Sequence, residues 1–247
     1  MSPPRKRDHF VALLAMTVVM ASCATPSRAV APASATNRPS SRSVGLRSAG
    51  PPTKAAGALP VPEPLVDPRL DLRSAPEAVP LQLEIPRLKV SRPVLGVGIT
   101  KANVMDAPEG PAQDPVWQDA FWYRGGGIPG QAGTATIAGH VDDSVGRPAT
   151  FAHLHDLHPG DAVIVRDLRN GLKLSFVVNA AATYSVDEAS SPSVLAEIYG
   201  TGPVAGRAAQ PSSDGLSHLT LITCTGTFDH HLGTHDHRLV VYATRVS

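Results

Sequence analysis

Prolines are so frequent between residues 25 and 79 that neither a helix nor a central strand can form there, which confines the fold to the residues that follow. A proline lacks the backbone N–H that both structures need and fixes its own φ angle. The segment also contains no Phe, Tyr or Trp, so it cannot bury enough apolar surface to offset the entropy of ordering. We therefore expect residues 25–79 to be a disordered Pro/Ala/Ser-rich tether, partly in the polyproline II conformation. Its ten prolines are Pro26, Pro32, Pro39, Pro51, Pro52, Pro60, Pro62, Pro64, Pro68 and Pro76.

The first 24 residues have the pattern of an export signal. Arg5-Lys6-Arg7 precedes an apolar run from Phe10 to Ala21, and a basic stretch before such a run is typical of a signal peptide. The run is shorter than the roughly 18–20 apolar residues of a comfortable membrane span. Met20-Ala21-Ser22-Cys23 resembles a bacterial lipobox, in which Cys23 would carry a lipid. Residues 1–24 are thus predicted to be a signal peptide, a lipoprotein signal or a short anchor, and each of these exports the domain from the cytoplasm. We expect the domain to be anchored to the cell membrane, through a lipid on Cys23 or through a short N-terminal anchor.

Charge divides at the same boundary. Residues 1–78 contain ten Lys and Arg against five Asp and Glu, a net +5, whereas residues 79–247 contain twelve against sixteen, a net −4. A nucleic-acid-binding domain needs a clustered basic face. The acidic balance therefore argues against nucleic acid as a partner.

Residues 80–247 are long enough for one domain with a sizeable core. Most of their periodic segments are short and rich in β-formers, and Asn170-Gly171 between two of them is a strong hairpin signal. Helices are predicted only at Ala149–Leu157, with Thr150 as N-cap, and at Ser193–Tyr199. This pattern predicts a mainly β fold, a closed or nearly closed barrel with one or two short helices. The predicted strands are Leu81–Ile85, Val94–Ile99, Thr134–Ala138, Ala162–Val165, Leu172–Tyr184, Leu219–Thr223 and Leu239–Thr244.

Cys224 is the single cysteine of the predicted domain, because the chain's other cysteine is Cys23. A thiol without a disulfide partner in an exported domain is either a buried bystander or a reactive group. Cys224 follows the strand Leu219–Thr223 directly, so we expect it at a strand end beside a loop. A catalytic cysteine also needs a base or a cation close by.

Two residues could supply these groups. His140 follows the alternating strand Thr134–Ala138 and a glycine, so it too is expected at a strand end. Arg238 begins the last predicted strand, and antiparallel pairing with the strand before it would bring Arg238 to the same end as Cys224. Its guanidinium could then donate hydrogen bonds to a substrate carbonyl or a developing oxyanion. Without this geometry, each residue is equally consistent with an ordinary turn or surface position.

These residues together resemble the sortases, the Gram-positive cysteine transpeptidases. The resemblance lies in Gly139-His140 at a strand end, in Thr220-Leu221-Ile222-Thr223-Cys224, and in Arg238 before an apolar strand. It extends over roughly residues 80–247 and is greatest for the actinobacterial class often lettered F. It implies an eight-stranded β-barrel and a reaction that needs no cofactor and no metal.

The resemblance also implies roles and partners. Cys224 would be the nucleophile that attacks a Leu-Pro-x-Thr-Gly-type sorting signal of a secreted protein and forms a thioester. His140 would be the general acid and base, and Arg238 would stabilise the substrate or the oxyanion. An amine of a peptidoglycan precursor would then accept the acyl group.

Other interpretations stay open. The histidines His230, His231, His235 and His237 between Cys224 and Arg238 could bind zinc or could form a polar, solvated loop. Asp142 and Asp143 could orient His140 or bond their own turn, and Thr223 could support the site or simply favour the strand. The alternative function is an exported non-catalytic or metal-binding β-barrel lipoprotein.

Overall fold

The computed structural model describes residues 71–200 and 212–246. The predictions for residues 1–24, and for the tether up to residue 70, lie outside the described residues. The tether prediction is wrong for its last residues, which belong to the fold: the Leu72 carbonyl accepts a hydrogen bond from the Ile99 N–H at 2.8 Å, and the first strand begins at Glu77. Within the described ranges, none of the helices is both long and apolar enough to cross a membrane.

Eight strands form a closed barrel in the order β1-β2-β3-β4-β7-β8-β6-β5. Neighbouring strands are antiparallel except β2 with β3 and β4 with β7, which are parallel. The mainly β fold and the eight-stranded barrel predicted from the sequence are confirmed. The strands are β1 (Glu77–Ile85), β2 (Val90–Val97), β3 (Ala120–Tyr123), β4 (Gly133–Ala138), β5 (Ala162–Asp167), β6 (Lys173–Ser185), β7 (Ser217–Asp229) and β8 (Thr234–Arg245).

Two α-helices, α1 (Val186–Ala189) and α2 (Pro192–Tyr199), follow β6. A capping box at Ser185 begins α1, and Pro192 stands in the first turn of α2. The helix predicted at Ser193–Tyr199 is thus confirmed, while α1 was not anticipated. Short 3₁₀ helices occur at Pro86–Leu88, Pro115–Gln118 and Leu154–Asp156.

The barrel interior is filled by alternate residues of the strands. In β1, for example, Val79, Leu81, Leu83 and Ile85 are buried and the residues between them are not. This follows from the two-residue side-chain period of a strand. The inward residues of β4, β7 and β8 belong to the same core cluster. On the outer face of these strands Thr136 and Val240 are also buried, whereas Cys224 and Arg238 are only half-buried.

The helix predicted at Ala149–Leu157 is wrong. The chain makes turns there and only one 3₁₀ turn, Leu154–Asp156, and Thr150 is not an N-cap but directs its hydroxyl to the Trp117 carbonyl at 3.4 Å. The buried residues Phe151, Leu154 and Leu157 recur every third position, which is the period of a 3₁₀ helix rather than an α-helix. Pro159 follows too closely for a longer helix to continue.

The hairpin between β7 and β8 extends further than predicted. Cys224 does not end a strand, because β7 continues to Asp229, and β8 begins at Thr234 rather than at Arg238. The apolar alternation stops at Thr223 and resumes at Leu239. The polar residues between them still pair through their backbones as a two-stranded ribbon, for which no core-facing side chain is needed.

Candidate active site

The three residues singled out from the sequence lie at one end of the barrel. Cys224 of β7 is the direct cross-strand partner of Arg238 of β8. On the other side of β7, Ala138 of β4 pairs with Ile222, and the Gly139 N–H donates to the Ile222 carbonyl at 3.1 Å. Because β4 and β7 run parallel, this register brings His140 to the level of Cys224.

The His140 ring is held on two sides by aromatic side chains and on a third by a carbonyl. Its centroid lies 4.7 Å from the Trp117 ring and 5.3 Å from the Phe121 ring. Its Nε2 atom is 2.9 Å from the carbonyl oxygen of Pro108, in the loop between β2 and β3. A carbonyl can only accept, so Nε2 carries a proton and Nδ1 is the nitrogen that can exchange one.

Cys224 is half-buried and is a free thiol. Its Sγ atom lies 3.8 Å from the hydroxyl of Thr234, near the tip of the β7–β8 hairpin. The same hydroxyl accepts a hydrogen bond from Arg238 Nη2 at 3.2 Å. Thr234 therefore touches both the thiol and the guanidinium, although ten residues separate it from Cys224 in sequence.

The Arg238 guanidinium is fixed by its own hairpin. Nη1 donates to the carbonyls of His235 at 2.8 Å and His237 at 2.9 Å. Together with the bond to Thr234, these contacts hold the planar guanidinium in one orientation beside Cys224. A fixed, always-charged donor next to a thiol is suited to stabilise negative charge as it develops on a substrate.

Thr223 connects the strands that carry the thiol and the imidazole. Its buried hydroxyl donates to the Gly139 carbonyl at 2.8 Å, so the residue before Cys224 is bonded to the residue before His140. Gly139 itself leaves no room for a side chain, since a Cβ there would lie 2.7 Å from the Phe151 ring. Both contacts fix the backbone on which His140 stands.

The two aspartates after His140 do not bond its ring in the described structure. Asp143 caps its own turn, because its carboxylate accepts hydrogen bonds from Val145 and Arg147. Burial raises the pKa of the Asp143 carboxyl, but these hydrogen bonds lower it by more, so the pKa lies below its usual value. The interpretation of Asp143 as a turn residue is therefore confirmed. Asp142 instead pairs with His235 at 3.2 Å, which joins the loop after His140 to the β7–β8 hairpin.

The hairpin histidines have separate partners. Besides His235, His237 bonds Asp236 at 2.7 Å, and this bond lowers the pKa of the Asp236 carboxyl. His230 lies edge-on to Phe228, with 5.1 Å between the ring centroids. A group of metal-binding side chains within reach of one another does occur in the described part of the chain, but elsewhere: exposed His153, His155 and Asp156 have their ligand atoms within 4.8 Å.

Sequence reasoning missed Thr234, Trp117 and Pro108 as neighbours of the site. Trp117 and Pro108 belong to the long loop between β2 and β3, and no periodic pattern in that loop indicates which strand it covers. Thr234 could have been found from Gly226 and Gly233, because these glycines indicate a hairpin between Cys224 and Arg238 and the residues of its two arms must pair. The segment is polar, however, so it lacks the apolar alternation by which a strand is usually recognised in a sequence.

Comparisons with known proteins relate the chain to one family. The family model described as the sortase domain matches residues 83–246. Among solved structures, the chain is similar to a lid mutant of sortase A from Corynebacterium diphtheriae, with 19% identity and a TM-score of 0.47 over 71% of this chain and 73% of that one. It is also similar to sortase C-1 from Actinomyces oris, with 23% identity and a TM-score of 0.44 over 68% and 73% of the two chains. No curated protein matches the chain.

Proposed function

The chain belongs to the sortase family of cysteine transpeptidases, and we propose that it cleaves a Leu-Pro-x-Thr-Gly-type sorting signal through a thioester on Cys224. The observation that carries this proposal is the cross-strand pairing of Cys224 with Arg238 at the barrel end where His140 stands. A nucleophile, an acid–base group and a fixed cation at one place are the parts that acyl transfer requires.

In the first step, the Cys224 thiolate attacks the carbonyl carbon of the Thr–Gly peptide bond. The electron pair of the C=O bond moves onto oxygen, where the Arg238 guanidinium stabilises the negative charge. As the carbonyl re-forms, the C–N bond breaks, and protonated His140 gives its Nδ1 proton to the departing glycine nitrogen. A thioester between the threonine and Cys224 remains.

In the second step, an amine replaces the thiol. Neutral His140 accepts a proton from the attacking amine, whose nitrogen forms a new bond to the threonine carbonyl carbon. The C–S bond breaks and returns the electron pair to the Cys224 thiolate. We assign the acceptor to a peptidoglycan-precursor amine, and no cofactor or metal takes part in either step.

An apolar strip beside the thiol supports peptide binding. Ile222 is two residues before Cys224, so its half-buried side chain lies on the same outer face of β7. Its partner on β4 is Ala138, also half-buried, which lies two residues before His140. An extended peptide on this strip could pack the apolar leucine and proline of a Leu-Pro-x-Thr sequence against Ile222 and Ala138.

Sortases are cell-surface-associated enzymes, and we assign this chain to the same place. The export-type segment 1–24, with or without a lipid on Cys23, would anchor it to the membrane, and the proline-rich tether would hold the domain 80–247 away from the bilayer. Relationship to the class lettered F stays a prediction. Membership of an enzyme family favours this function over the non-catalytic lipoprotein.

The test is to trap the thioester. The full-length chain is incubated with a library of Leu-Pro-x-Thr-Gly peptides, and the intact mass and the proteolytic fragment containing Cys224 are measured. We expect an adduct of the peptide cleaved after threonine on Cys224, and none on Cys224→Ala. If the wild type forms no adduct and releases no glycine-containing fragment with any library member, the proposed function is wrong.

A further inference from the structure

We propose that Thr234 is a positioning residue whose hydroxyl links the Arg238 guanidinium to the Cys224 sulfur. The donor and acceptor capacities of the two side chains fix the direction of their hydrogen bond. The guanidinium has no acceptor, so in the 3.2 Å contact Nη2 donates and the Thr234 oxygen accepts. The hydroxyl proton of Thr234 is then free of that bond and can be directed to Sγ, 3.8 Å away.

This direction has an electrostatic consequence. A hydroxyl that accepts from a cation is polarised, and hydrogen bonds in such chains strengthen one another. A thiolate sulfur accepts from the polarised O–H, whereas a neutral thiol gains less from it. Thr234 thus stabilises the form of Cys224 that attacks the substrate, and it transmits part of the Arg238 charge to the sulfur.

The hairpin is shaped to bring Thr234 there. The register between β7 and β8 shifts between Thr225 and Phe228, and Gly226 in this bulge has φ +84°, a left-handed conformation that favours glycine. Asp236 fixes the bulge by accepting from the Thr227 N–H at 2.9 Å. A bulge increases the local twist of a hairpin, so its tip can bend toward the face that bears Cys224.

The arrangement also leaves Arg238 able to meet the substrate. Its two Nη1–H groups and one Nη2–H are occupied by the hairpin. The Nε–H and the second Nη2–H make no hydrogen bond within residues 71–200 and 212–246. Arg238 can therefore act on the oxyanion while Thr234 acts on the sulfur, and the two residues have separable roles.

The test measures the reactivity of Cys224 without a substrate. Full-length wild type, Thr234→Val and Thr234→Ser are treated with iodoacetamide between about pH 5 and pH 9. Alkylation is followed on the proteolytic fragment containing Cys224, which separates it from Cys23. Valine keeps the size of threonine and removes the hydroxyl, serine keeps the hydroxyl, and Thr227→Val makes the same change at an exposed position of the same hairpin.

We expect Thr234→Val to lower the alkylation rate near neutral pH about tenfold, the effect of one hydrogen bond to a charged group. We expect its rate to rise at a higher pH than in the wild type, and Thr234→Ser and Thr227→Val to behave as the wild type does. In an Arg238→Ala background, the Thr234→Val effect should shrink, because the polarising cation is gone.

The proposal would be overturned if Cys224 of Thr234→Val were alkylated at the wild-type rate at every pH. It would also be overturned if Thr234→Val lowered the alkylation rate by the same factor in the Arg238→Ala background as in the wild type. The inference takes from the proposed function only that Cys224 is the reacting group. Since alkylation needs no sorting signal, failure of the peptide-trapping experiment and failure of this one are distinguishable.

Discussion

Cys224 lies directly opposite Arg238 in the antiparallel ladder of β7 and β8, and this pairing sets the geometry of the site. Successive side chains of a strand point to opposite faces, so a slip of one residue would turn Arg238 into the barrel and Leu239 out of it. The buried residues Leu219 and Leu221 on β7, and Val241 on β8, resist such a slip. The apolar core thus holds the thiol and the guanidinium in register.

Replacement of Arg238 should impair catalysis far more than stability. We expect Arg238→Ala to lower kcat/KM for peptide cleavage by about 10²–10³-fold, the usual effect of losing one oxyanion donor. Arg238→Lys should restore little of the lost kcat/KM, because an ammonium cannot bond Thr234 and two carbonyls in one plane. Steady-state kinetics and thermal melting give the two quantities.

The matched control is Arg166→Lys. Arg166 lies on β5, where it pairs with Glu84 at 2.7 Å. Its replacement should leave kcat/KM near the wild-type value. If Arg238→Lys were as active as the wild type, a positive charge at this position would be sufficient for catalysis without the several N–H donors of the guanidinium.

Gly139 should tolerate no side chain. A Cβ at this position would lie 2.7 Å from Cδ2 of the Phe151 ring, so Gly139→Ala must displace either the ring or the backbone before His140. We expect a loss of about 1–3 kcal/mol in the free energy of unfolding, typical of overpacking, together with reduced peptide cleavage. Urea unfolding and kinetic assays check both.

Gly126→Ala is the control, because the nearest atom to its Cβ would be at an ordinary 3.4 Å. A Phe151→Leu change made together with Gly139→Ala should destabilise by less than the sum of the two single changes. Simple additivity would mean that the Phe151 ring does not constrain Gly139.

The strands of the barrel were predictable where apolar and polar residues alternate clearly. The prediction failed where they do not. β1, β4, β5 and β6 show inward apolar residues at every second position, which is the signal of a half-buried strand. β3 was missed because all four of its residues, Ala120–Tyr123, are buried, so it has no polar face to mark the period. The loop and helices that cover the barrel on that side cannot be inferred from the strand itself.

The positions of the candidate site residues were predictable in part. Cys224, His140 and Arg238 follow or precede apolar runs, and the pairing of those runs brings their ends together. Contacts made by irregular segments were not predictable. The approach of Pro108 and Trp117 to His140 depends on the path of the β2–β3 loop, and no local pattern encodes that path.

Trp117 should control the orientation of His140. Its ring lies against the imidazole, and its Nε1–H donates to the Pro111 carbonyl at 2.9 Å in the same loop. We expect Trp117→Ala to lower kcat more than it changes KM, because the acid–base group loses its position while the peptide strip is intact. Trp117→Phe keeps an aromatic contact and should keep most of the activity.

Nitrogen-15 spectra of His140 give an independent readout. The bond to Pro108 requires a proton on Nε2 in the wild type, and Trp117→Ala should yield a mixture of tautomers. A wild-type spectrum with the proton on Nδ1 of the neutral ring would contradict the assignment of Nδ1 as the exchanging nitrogen.

The Asp167–Arg169 pair should make stability depend on pH in the acid range. The Asp167 carboxylate is fully buried at the end of β5, and Arg169 donates to it from Nε at 3.0 Å and from Nη2 at 2.6 Å. The hydrogen bonds from the Arg169 side chain hold the pKa of Asp167 below its usual value, although burial opposes this. The folded protein therefore favours the charged form more than the unfolded chain does.

A depressed pKa gives stability that is complete above the ordinary aspartate pKa of about 3.9 and disappears as pH falls through the lower folded value. Asp167→Asn should thus lower the free energy of unfolding by about 1–3 kcal/mol at neutral pH. The difference in the free energy of unfolding between the wild type and Asp167→Asn should decrease steadily below about pH 4. Thermal melts from pH 7 down to pH 2 measure it, with exposed Asp187→Asn as control. A gap that stays constant over that range would mean that the carboxylate charge does not contribute to stability at this turn.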